Sequence, residues 1–237
     1  MPFDLDKEIK RLKDSGKPGS LSKMAQITAG TLDRAASQNA LQIYNNPKFG
    51  RLACLDSLER IEQDRILNEL LVTNIVLLMM TLESNDLRIN EEFKEYFLLV
   101  KDSMSKAHRN QLAALGIEKE FLDIWDKLIN LRYEEYSNDK NEVREASMEF
   151  HAKEKELTNK DLEDIQSILP VQTTTFGCFH HICRGKTKGR DDLLNYLVRH
   201  QGRFYIQMRI LIEGVELPLW KKIKMKTKWF LRDLKEK

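Results

Sequence analysis

The sequence predicts an all-α protein, a multi-helix bundle built around one long apolar helix. Breakers are scarce, with 10 Gly and 5 Pro in 237 residues. Leu, Glu and Lys are abundant, a composition that favours long helices over many short strands. Between residues 51 and 83, Leu55, Leu58, Ile61, Ile66, Leu70, Ile75, Leu78 and Leu82 recur at steps of three to five, close to the helical period.

The elements follow in order. A short charged helix is expected from Phe3 to Lys13, stopped by Gly16-Lys17-Pro18-Gly19. Ser20 is placed to cap a second helix that runs to Tyr44, where Asn45-Asn46-Pro47 ends it. The third helix, Arg51 to Glu83, is apolar on nearly all sides after Leu70 and is expected at the centre of the fold. Its uninterrupted apolar part, Ile75 to Met80, is far shorter than the ~20 residues a bilayer span requires, so it reads as a buried helix. Asn90 followed by Glu91-Glu92 marks a helix start, with negative charge where the helix dipole favours it. That helix is expected to reach Leu115 and stop at Gly116.

A fifth helix from Lys119 carries Phe121, Ile124, Trp125, Leu128 and Leu131 at heptad-like steps. It either continues through Tyr133 or breaks at Ser137-Asn138-Asp139, and the polar segment up to Leu157 reads as a solvated helix or arm. Thr158 and Asp161 form a capping-box pattern for a short helix ended by Pro170. Val171 to Gly189 reads as a loop. Arg203 to Ile212 alternates apolar and polar residues as a short strand would, while Phe204, Met208, Leu211 and Val215 also fit a helix, which the context favours.

Charge divides the chain. From Val171 onward there are 15 Lys and Arg against 6 Asp and Glu, a net of +9; the first 170 residues carry 24 against 31, a net of −7, and together they make the chain's +2. This suggests an acidic helical bundle over 1–170 and a basic region over 171–237, which also reads as one continuous domain. The three cysteines, Cys54, Cys178 and Cys183, are too few for a disulfide framework. Without a signal-like start, a reducing, cytoplasmic setting is expected.

Several groups of residues are candidates for chemistry. Cys178, His180, His181 and Cys183 bring together zinc's preferred ligand types, but adjacent histidines rarely share one ion and no second cysteine pair exists. Glu59, Glu62 and Glu69 on the third helix lack the Glu-x-x-His partner of di-metal bundles and read as a solvated face. No cofactor is expected, since no phosphate-cradling glycine loop, nucleophile elbow or dinucleotide fingerprint occurs.

Arg144 and His151 stand seven apart and share one helix face. The pair resembles the motif of HEPN-type ribonucleases, all-helical proteins that cleave RNA without metal. The resemblance covers these two residues, and Glu145 stands where that family usually has an amide or small polar residue. It implies His151 as general acid/base and Arg144 as phosphate stabiliser.

The region from Leu217 to Lys237 has the pattern of a basic amphipathic helix. Leu219, Trp220, Ile223, Phe230, Leu231 and Leu234 form one stripe, and Lys221, Lys222, Lys224, Lys228, Arg232 and Lys235 lie mostly off it. Trp229 projects among the lysines, a combination suited to stacking on an unpaired base beside phosphate contacts. Arg184, Lys186, Lys188 and Arg190 add a second basic cluster. The expected function is therefore a non-enzymatic binding or scaffold subunit, whose basic C-terminal part contacts nucleic acid or another acidic surface. Its body would contact other subunits of an assembly. Two alternatives are a peripheral membrane protein anchored on anionic lipid by the amphipathic tail, and a helical ribonuclease or metal-site enzyme.

Overall fold

The computed structural model describes residues 20–154 and 156–214. The expected helices at 3–13 and 217–237 lie outside these residues. Eight α-helices and one 3-10 turn occur among the described residues, with no strand. The first helix, α1 (Ser20–Tyr44), is followed by the short α2 (Pro47–Ala53), a 3-10 turn (Leu55–Ser57) and α3 (Arg60–Leu82). Then come α4 (Glu91–Asp102), α5 (Met104–Ala114), α6 (Lys119–Glu154), α7 (Asn159–Ile182) and α8 (Asp191–Ile212).

Helix α3 is the centre, as its apolar circumference requires. Every residue from Val72 to Leu82 is buried, and α1, α4, α5, α6, α7 and α8 all pack on it. By length and composition α3 could cross a membrane, but 78% of its apolar window is buried inside the protein. Helix α1 lies against it through Ala25, Ala29, Ala36 and Ala40, each fully buried, and Asn74 of α3 donates to the Ala36 carbonyl at 3.0 Å. Two apolar clusters result. One gathers Val72–Leu82 with α1, α4, α5 and α6; the other gathers Ile66 and Leu70 with Ile43, Phe49, Cys178, Phe179, Tyr196 and Leu197. Residue 171, where the charge changes sign, lies inside α7, and both clusters draw side chains from each side of it.

Three expectations need correction. The helix expected over 51–83 is broken, because Cys54 takes a left-handed conformation (φ 57°) that ends α2. The Gln63 amide then ties the break by donating to the Leu55 and Leu58 carbonyls, each at 3.0 Å. Pro47 opens α2 at its first turn, where its missing N–H costs nothing, and Asn46 caps that turn by accepting from the Lys48 amide at 2.9 Å. The helix expected to run to Leu115 divides at Ser103, whose hydroxyl donates to the Leu99 carbonyl at 2.8 Å. Gly116 does stop α5, at φ +83°.

Pro170 does not end α7, and 171–182 is helix rather than loop. The capping box of Thr158 and Asp161 forms as expected at its start. Past the proline, the hydroxyls of Thr173 and Thr174 donate to the Leu169 and Pro170 carbonyls at 2.9 Å. Threonines otherwise suited to a strand are thereby satisfied within a helix. Tyr205 of α8 donates to the Ser167 carbonyl, beside the position whose partner the proline removes. The alternating stretch 203–212 is helical, as its context favours: Phe204, Tyr205 and Ile212 are buried while Ile206 and Leu211 are exposed.

Candidate binding site at the α7–α8 loop

The end of α7 and the loop 183–190 carry most of the described residues singled out above. Arg184 (φ 48°), Gly185 (φ 74°) and Gly189 (φ 76°) bend the chain back toward α8. The Arg65 guanidinium donates to the His181 and Ile182 carbonyls at 2.8 and 3.2 Å, placing a cation where the helix dipole favours one. Glu62 receives both Arg65, at 3.0 Å, and Arg184 of the loop. Arg65 is the larger cause holding the Glu62 carboxyl below its ordinary range, with Arg184 adding to it.

On the other side of α7, His181 Nε2 lies 2.8 Å from Glu135, which also pairs with Arg132 at 3.0 Å. Arg132 in turn holds Glu69, and so Glu69 is a buried, paired carboxylate rather than part of a solvated face. These contacts tie the end of α7 to α3 and α6, and Arg184 ties the loop to α3.

Both thiols of the Cys/His group turn into the second apolar cluster, and the two histidines turn away from it. Cys178 is fully buried, and burial pushes its thiol up to about 12. Cys183 faces the second apolar cluster, and burial raises its thiol too, with Arg190 and Arg65 opposing. His181 turns to Glu135, and His180 is exposed beside Gly185. Thiols held protonated are poor nucleophiles and poor metal ligands, and no group of three His, Cys, Asp or Glu side chains among the described residues is arranged to hold a metal ion.

Arg144 and His151 share a face of α6, about two turns apart. Arg144 lines a groove of about 400 Å³ between α6 and α7, with Glu145, Met148, Leu162, Ile165 and Gln166. His151 is not among the lining residues and packs edge-on against Phe150.

Of the basic cluster, Arg184 is committed to Glu62, whereas Lys186 and Lys188 are exposed with no ion-pair partner among the described residues. The loop lies at the start of α8 and Gly214 just past its end. The 22-residue helix therefore puts about 33 Å between the loop and the end of α8. Lys221, Lys222, Lys224, Lys228, Trp229 and Arg232 lie outside the described residues. Sequence reasoning missed the clamp of Arg65 and the chain Glu69–Arg132–Glu135–His181. Its only trace was charged residues interrupting otherwise apolar helical stripes. No protein-family model, no curated protein and no solved structure matches the chain.

Proposed function

We propose that this protein is a binding or scaffold subunit whose helical body carries a basic C-terminal region onto an anionic partner, with nucleic acid as the partner its residues suit best. The observation that carries this reading is the charge division of −7 before residue 171 and +9 after it. Residues 215–237 alone hold eight Lys and Arg against three Asp and Glu. Lys186 and Lys188 supply two more exposed cations on a loop that Arg184 ties to Glu62. Local phosphate contacts of this kind give salt-dependent binding even when the net charge is small.

The test is fluorescence anisotropy of the full chain with labelled single-stranded and duplex RNA and DNA over a salt series. Binding should weaken with salt and be lost in Lys224→Glu/Lys228→Glu. Lys186→Glu/Lys188→Glu should lower the slope of log affinity against log salt by roughly one per phosphate contact removed. Absence of binding to every nucleic acid at low salt would remove this reading and turn attention to anionic vesicles.

A further inference from the structure

The heptad pattern on α6 stays largely exposed among the described residues. Ile117, in the turn before α6, and Phe121, Ile124, Leu128 and Leu131 follow one another at steps of four, three, four and three. The core-facing stripe of α6 lies further round the helix, on Leu122, Ile129 and Tyr136. Leu128 forms the half-buried floor of the exposed stripe, while Ile117, Phe121, Ile124 and Leu131 are 40, 50, 57 and 55% exposed. Leu115 beside them is 77% exposed.

Neighbouring helices leave this face bare for a definite reason. Helix α5 holds the opposite flank of α6, where Arg109 pairs with Asp123 and Asp126 at 2.9 and 3.3 Å. Helix α7 covers α6 only as far as Glu135, where His181 bonds it, and then ends at Ile182. Along the outer edge of the stripe run Glu120, Lys127 and Glu134, exposed, spaced seven apart and without ion-pair partners among the described residues.

We propose that a second copy of this chain docks on this stripe, with the two α6 helices antiparallel across a two-fold axis. A seam at 3.5-residue spacing selects a helix of the same spacing, whose knobs fill its holes. Reversed on itself, the stripe sets Phe121 against Ile124 and Ile117 against Leu128 of the second copy. The same register brings Glu120 beside Lys127 twice, so the charged edge is complementary to its own copy. The five exposed side chains offer on the order of 500 Å² per copy, taking roughly 200 Å² for a large side chain. Two copies then reach the ~1,000 Å² at which specific interfaces begin. The inference does not depend on what the basic region binds.

Sedimentation equilibrium of the full chain across a wide micromolar range tests it. Wild type should approach twice the monomer mass. Ile124→Asp, at an exposed position, should raise the dimer dissociation constant about 30-fold or more with unchanged helical circular dichroism and melting temperature. Glu120→Lys should weaken the dimer, and Glu120→Lys/Lys127→Glu should restore it. A wild type that stays monomeric overturns the proposal, and a drop in its melting temperature on Ile124→Asp would then show the chain's own 1–19 or 215–237 segment on the stripe. A dimer that Ile124→Asp leaves intact overturns it as well, and a dimer indifferent to Glu120→Lys overturns the register.

Discussion

Arg132 of α6 grips Glu69 of α3 with two hydrogen bonds, Nε to Oε2 at 3.1 Å and Nη2 to Oε1 at 2.8 Å. Burial works against the guanidinium's charge, but Glu69 outweighs it and raises the arginine's pKa. Removing one member of such a pair strands the other charge in a dry site. Arg132→Ala should therefore cost about 3–5 kcal/mol, whereas Glu69→Leu/Arg132→Met should recover most of it. Urea unfolding of the three proteins decides. A mild single mutant would mean that water reaches Glu69.

Glu83, just past the end of α3, is the focus of a second network. It accepts from the Tyr133 hydroxyl, from Lys140 at 3.1 Å and from Lys101 at 3.2 Å. Burial alone would raise its pKa; Tyr133, Lys140 and Lys101 together hold it below the ordinary 4.5. A depressed folded-state pKa gives stability that is present above the unfolded value and lost as pH falls through the folded one. Melting temperature should thus fall as the solution is acidified below about 4.5. Glu83→Gln should cost about 1.5–3 kcal/mol at neutral pH and flatten that acid limb. An acid limb as steep as wild type's in Glu83→Gln would place the titrating group elsewhere.

What could be read in advance follows from where the signals are local. The centrality of α3, the Thr158–Asp161 cap and the Gly116 stop each depend on a few adjacent residues, and each was legible. The breaks at Cys54 and Ser103 were not, because neither residue is Gly or Pro. Pro170 misled in the other direction: the helix continues through it, with the Thr173 and Thr174 hydroxyls bonded back to the Leu169 and Pro170 carbonyls. The basic loop was visible as composition, but its distance from the end of α8 was not. Asp33 was readable in principle, since it stands on the alanine stripe of α1 between Ala29 and Ala36. The structure buries it against His108 at 2.9 Å.

The three thiols should behave as three environments. Cys54 is exposed, Cys183 is buried near Arg65 and Arg190, and Cys178 is fully buried. At pH 8 a thiol-specific disulfide reagent should modify Cys54 quickly and Cys178 only after unfolding, so Cys54→Ser should abolish the fast phase. Because burial raises the Cys178 thiol from 9.0 to about 12, the protonated thiol belongs to the folded state. That contribution is complete below 9.0 and is lost as pH rises toward 12. Rapid modification of Cys178 in the native protein would show α7 opening away from α3 and α6.

Two glycines within helices should respond to alanine with opposite signs. A Cβ on Gly177 of α7 would lie 2.1 Å from Cε1 of the Tyr136 ring, which is itself fully buried and cannot swing aside. A Cβ on Gly202 of α8 would meet nothing within 4 Å. In an open helix, alanine is favoured over glycine by about 1 kcal/mol. Gly202→Ala should therefore stabilise by up to that amount. At Gly177 the same preference is overruled by overpacking, which typically costs ~1–3 kcal/mol, so the substitution should destabilise. Denaturant midpoints of the two variants measure the difference. If Gly177→Ala also stabilised, α7 would be free to move off α6. The close contact at Tyr136 would then not be what holds Cys178 and His181 in place.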